Sequence, residues 1–140
     1  MFRDVAVEKG ERNIEMELAS GVFFQRTTAE FDPAKLPVLK EMADAFKSGA
    51  YLDFRIIVEG HTSDMVINSS SYPSNWELST ARASRIVRYF IEQGVEPRRL
   101  VAVGYGDSQP KLAHRDAGGN PIPENRDINE RIVIKFERGR

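Results

Sequence analysis

The chain predicts a two-layer α/β (α+β) fold, with helices packed on one face of a mixed β-sheet and an extra β-hairpin at the N-terminus. Three observations carry this reading: apolar residues alternate near both ends of the chain, two long segments repeat apolar residues at spacings of three and four, and strand and helix patterns alternate between them. Two strands joined through a helix ordinarily pair in parallel, so the middle of the chain asks for a sheet covered by helices. The 140 residues are enough for one domain with a sizeable core, expected to span 1–140, with a hairpin extension over 1–20 and a core over 21–138.

The elements follow in order. Val5 and Val7 alternate, Lys9-Gly10-Glu11 supplies a turn, and Ile14, Met16 and Leu18 return at every second position, which predicts the hairpin. Gly21 interrupts, Val22-Phe23-Phe24 forms an apolar strand end, and residues 25–30 read as a polar loop. Asp32 is placed to cap a helix that has Pro33 at its first position, and Leu36, Leu39, Met42, Ala43 and Phe46 give that helix an apolar stripe up to Gly49. Leu52, Phe54, Ile56 and Val58 alternate along a strand that ends at Gly60, and a polar loop long enough to be functional runs to Ser74. A second helix is predicted from Asn75 to about Gln93. At about 100° per residue, Trp76, Ala83, Val87 and Phe90 share one stripe, with Ile91 nearby, and this stripe is expected in the core. Glu77, Arg85, Arg88 and Glu92 lie opposite, as a solvated face. Residues 100–103 form a strand closed by Gly104, residues 106–125 are turn-rich, and Ile132, Ile134 and Phe136 alternate along a last strand.

Charge narrows the function classes. Twenty basic residues balance 21 acidic ones, so no field favours nucleic acid or an anionic membrane as partner. Cysteine is absent, which excludes a disulfide scaffold and suits either a cytosol or a periplasm. No stretch approaches the roughly 18 uninterrupted apolar residues of a membrane span.

The informative residues flank the second helix. Asn75, Ser79 and Arg82 stand at i, i+4 and i+7, so one edge of its first two turns presents an amide, a hydroxyl and a guanidinium. The preceding strand delivers Gly60-His61-Thr62-Ser63-Asp64 toward the same neighbourhood. Donors for a carboxylate beside acceptors for an ammonium suit a zwitterion. The plainer alternative is structural, with Asn75 as a cap, Ser79 filling a gap and Arg82 paired to a nearby acid.

The segments Val58-Glu59-Gly60-His61-Thr62, Ser74-Asn75-Trp76-Glu77-Leu78-Ser79-Thr80-Ala81-Arg82-Ala83 and Leu100-Val101-Ala102-Val103-Gly104-Tyr105-Gly106 resemble the peptidoglycan-binding domain of the OmpA-like family. They resemble in particular the version carried by the flagellar motor stator B subunit. The resemblance implies a noncatalytic periplasmic wall anchor that holds the diaminopimelate side of the stem peptide. It implies that Arg82 clamps the ligand carboxylate, that Asn75, Leu78 and Ser79 shape the pocket, and that His61 and Thr62 form its rim. It further implies a homodimer, and a stator A subunit as partner through a membrane segment that this chain does not contain. An outer-membrane lipoprotein or porin of the same family is the alternative parent. The family's Asn-Arg-Arg corresponds to Asn129-Glu130-Arg131, which keeps Arg131 and departs at Glu130. Ser63 stands where the family has its ligand-binding Asp, so either Asp64 takes that role or the site has lost its ammonium partner.

Other chemistries fare worse. Ser79, His61 and Asp64 lack the strained nucleophile elbow of a hydrolase. His61 and His114 do not have metal-ligand spacing, and His114 is expected to be exposed; no metal or cofactor is predicted. Gly104-Tyr105-Gly106 reads as turn geometry rather than a phosphate cradle. The remaining rival is an interaction or dimerisation module with a vestigial site, for which the hairpin and residues 107–124 are candidate surfaces.

Overall fold

Alternation at the two ends of the chain resolves into neighbouring strands of one sheet. The computed structural model describes residues 6–9, 13–20, 23–66 and 68–138, so the expectations for Val5, Gly10, Glu11, Gly21 and Val22 lie outside the described residues. Strands β1 (Ala6–Lys9), β2 (Asn13–Ala19), β3 (Phe54–His61), β4 (Leu100–Gly104) and β5 (Arg131–Arg138) form a sheet of order β1-β2-β5-β3-β4. Only β3 and β4 pair in parallel, joined through helix α2 (Asn75–Glu92), as a crossover connection requires. β5 enters between β2 and β3, antiparallel to both. The hairpin is therefore not an extension beside the core. β2 pairs with β5 from Asn13↔Glu137 to Ala19↔Arg131, and its Met16 and Leu18 are core residues.

Helix α1 (Leu36–Phe46) and α2 cover one face of the sheet. Asp32 accepts the Ala34 N–H at 3.0 Å and caps a 3₁₀ turn, Pro33–Lys35, that leads into α1. Leu39, Met42, Ala43 and Phe46 then meet Phe54, Ile56 and Val58 of β3, Ile132, Ile134 and Phe136 of β5, and Ala83, Ile86 and Phe90 of α2. β3 begins at Phe54 rather than at Leu52, which follows a 3₁₀ turn, Gly49–Tyr51, and is exposed. Phe23 and Phe24 are buried, but Phe24 makes only an isolated bridge with Phe31. Within the turn-rich stretch a short helix, α3 (Pro123–Asn129), appears where only loop was expected.

The buried stripe of α2 is rotated from the expected one. Leu78, Ser79, Arg82, Ala83, Ile86 and Phe90 are buried, whereas Trp76 is 50% and Ile91 39% exposed. The cause lies in the sheet. Gly60 and Gly104 face each other across β3 and β4, and a methyl group on either would collide with the backbone of Ser79 or Thr80. This close approach draws the small polar side of α2 inward. Trp76 is rolled outward, with its ring against Gly106.

Candidate functional site

A cleft of about 370 Å³ opens where the segment after β2, the loop after β3, α2 and the end of α3 converge. Arg82 is at its floor, with Phe24, Ser63, Leu78, Arg126 and Glu130 around it. Close packing of α2 on the glycine pair brings Arg82 inside, leaving it 2% exposed. Its Nε donates to the Thr28 carbonyl at 2.7 Å, and its Nη1 donates to Glu130 Oε1 at 2.9 Å. The guanidinium carbon lies 5.4 Å from the centre of the Phe24 ring. Nη2 has no hydrogen-bond partner among the described residues. Glu130 faces two ways, because its Oε2 accepts the Ser63 N–H at 2.6 Å. The 25–30 loop that offers Thr28 reverses through Thr27 in the left-handed region, at φ 60°.

The other expected residues are arranged around this centre rather than inside it. Leu78 lines the cleft and is 1% exposed. Asn75 donates from Nδ2 to the Met65 carbonyl at 3.0 Å, pinning the loop after β3 to the start of α2. Ser79 Oγ accepts the Gly106 N–H at 2.9 Å and donates to the Trp76 carbonyl at 3.0 Å, so it fixes α2 to the segment after β4. Thr62 is buried, with its Oγ1 donating to the Ser63 carbonyl at 2.9 Å.

His61, buried like Glu59, follows it on the face of β3 opposite Ile56 and Val58. Its Nε2 donates to Glu59 Oε1 at 3.1 Å, and its ring stacks on Tyr105 with centroids 5.1 Å apart. Burial disfavours the Glu59 carboxylate, but hydrogen bonds from His61 and Lys135 outweigh it and hold the pKa below its ordinary value. Arg131 also lies away from the cleft, with Nη2 donating to the Gln109 carbonyl at 3.1 Å.

Asp64 is fully engaged elsewhere. Its Oδ2 accepts Arg115 Nε at 2.8 Å and its Oδ1 accepts Arg126 Nε at 2.8 Å. Burial opposes its charged form, but these two guanidiniums outweigh that and hold its pKa below the usual value. It ties the loop after β3 to the 106–125 stretch and to α3. His114 is half-buried rather than exposed: Asn129 Nδ2 donates to its Nδ1 at 3.0 Å.

Sequence reasoning missed Phe24, Arg26, Arg126 and Asp127 as parts of the cleft. The departure at Glu130 was the available signal for the Arg82 partner, since it places an unexpected carboxylate at the end of α3. No group of acidic residues and histidines that could hold a metal ion occurs among the described residues.

Fold and cleft together define a two-layer α+β domain with a buried guanidinium–carboxylate pair where helix, sheet and loops meet. The chain belongs to the OmpA family, whose description matches residues 23–122. An uncharacterised Bacillus subtilis protein, YtxE, is 33% identical over 132 residues, covering 94% of this chain and 52% of its own. Motility protein B of the same organism is 29% identical over 124 residues, covering 87% and 44%. The chain thus spans about half the length of the curated relatives it matches. Among solved structures, the cell wall anchor of the T6SS from Pseudomonas aeruginosa superposes with a TM-score of 0.84 at 26% identity, covering 97% of this chain and 89% of that one.

Proposed function

We propose that this chain is a noncatalytic wall-anchoring domain that binds the peptidoglycan stem peptide at diaminopimelate, on the periplasmic face of a membrane-anchored protein. The observation that carries this reading is Arg82, a guanidinium buried at the floor of an open cleft with Nη2 unpaired among the described residues. A guanidinium held by Thr28 and Glu130 has little side-chain freedom left to lose when a carboxylate arrives, and the apolar wall of Phe24 and Leu78 strengthens the contact. Similarity to motility protein B supports a parent that tethers stator units, with a homodimer and a stator A subunit as partners. Similarity to the T6SS cell wall anchor supports wall binding without fixing the machine it serves. An outer-membrane lipoprotein or porin-type anchor would use the same cleft. Repeated in a dimer, a modest single-site contact gains holding strength through effective concentration.

Isothermal titration with a diaminopimelate-containing muropeptide tests the reading. The wild type is expected to release heat, and Arg82→Ala to lose about two orders of magnitude in affinity, because it removes the charged donor and leaves Glu130 without its partner. Equal binding by Arg82→Ala would overturn the assignment.

A further inference from the structure

The carboxylate beside Arg82 carries an inference that rests on, and goes beyond, the wall-binding reading. Glu130 lines the cleft with its side chain 25% exposed, and each of its oxygens is already anchored, one by Arg82 and one by the Ser63 N–H. A carboxylate oxygen has two lone-pair directions, so each retains acceptor capacity toward the cleft. Asp64 cannot supply this function. It does not line the cleft, and Arg115 and Arg126 draw its carboxylate toward the 106–125 stretch and α3 instead. Ser63, where the resemblance expects an acidic ligand group, gives its N–H to Glu130, and its Oγ accepts the Met65 N–H at 3.2 Å.

We infer that Glu130 is the ammonium acceptor of this site, and that Arg82 and Glu130 together select the zwitterionic end of diaminopimelate over a plain carboxylate. The physical basis is the pairing itself. Positive and negative groups held 2.9 Å apart form a fixed dipole, and an α-amino acid end carries the same two charges on one carbon. Laid antiparallel, the ligand carboxylate meets Arg82 and its ammonium meets Glu130, so four charges alternate in sign. A simple anion meets repulsion from Glu130 and a simple cation meets repulsion from Arg82. Both groups are largely withdrawn from water, where such discrimination is least screened.

The test uses two muropeptides, one with the free amino group at the distal centre of diaminopimelate and one with that amine acetylated. Titrated against the wild type, the free-amine ligand is expected to bind about tenfold tighter or more, as loss of a charged hydrogen bond predicts. Glu130→Gln keeps an acceptor for Ser63 but removes the charge, and it is expected to bind both ligands with the same weak affinity. A Glu130→Gln variant that retains the wild-type preference overturns the inference alone, as does a wild type with no preference. A wild type that binds neither ligand overturns the wall-binding reading and this inference with it. Ser63→Asp combined with Glu130→Gln returns a carboxylate to the adjacent position. Recovery of the preference in that folded double variant supports the inference, and its absence there counts against it, whatever the stability of the single variant.

Discussion

Three arginines are buried among the described residues, Arg82, Arg99 and Arg131, and the partners of the first two separate their roles. Arg99 is 8% exposed and spends its donors on main-chain carbonyls, with Nε on Phe54 at 3.1 Å, Nη1 on Phe46 at 2.9 Å and Nη2 on Tyr51 at 2.5 Å. It ties the end of α1, the following turn and the start of β3 into one corner, with its charge at the negative end of the α1 dipole. Arg99→Met keeps the aliphatic stem but strands two buried carbonyls and a partly buried third, and it is expected to cost about 3 kcal/mol in denaturant unfolding. Its neighbour Arg98 is exposed and pairs with Glu96, which is itself half exposed, so Arg98→Met is expected to change stability by less than about 0.5 kcal/mol. Equal costs for the two would refute this account of Arg99. Spacing from Asn75 and Ser79 set Arg82 on one helix edge in the sequence, and the family resemblance singled it out. Arg99 was not legible there, since backbone carbonyls leave no trace in the residue pattern that recruits them.

At the scale of elements, the cleft is walled by segments that hold one another in place. Asn129 is buried, accepts the N–H groups of Lys111 and Leu112 at 2.9 and 3.0 Å, and returns a bond to the Leu112 carbonyl at 2.8 Å. Asp64 clasps the same stretch through Arg115 and Arg126. A carboxyl whose pKa is lowered by folding stabilises the native state above the ordinary carboxylate value of about 3.9, and that contribution is lost as pH falls through the lower folded-state value. Asp64→Asn is therefore expected to be less stable than wild type by about 1–2 kcal/mol at pH 7, with the two melting curves converging as pH falls past the lowered folded-state value. A gap that persists unchanged into acid would show that the clasp is not electrostatic. The helix α3 escaped sequence reading because its seven residues carry no apolar stripe and follow a run of Gly, Pro and Asn. The rotated face of α2 escaped it because the cause is the glycine pair on two other strands, which periodicity within the helix does not register.

For the whole molecule, the layer arrangement and the parallel β3–β4 pair followed from element order, but the place of the last strand did not. β5 completes the sheet between β2 and β3, so the chain's end supplies its interior, and alternation alone names no neighbour. The same topology sets Glu130, immediately before β5, against Arg82 of α2, a pairing 48 residues apart in sequence. No helix among the described residues is long and apolar enough to cross a membrane. With a formal net charge of −1, general attraction to an anionic polymer is weak, and binding must come from placed groups. Co-sedimentation of the chain with purified diaminopimelate-type peptidoglycan sacculi is the most direct measurement. The wild type is expected to pellet and to be released by excess soluble muropeptide, and Arg82→Ala to stay in the supernatant. Wild type left in the supernatant, or Arg82→Ala pelleting as fully as wild type, would contradict a wall anchor centred on Arg82.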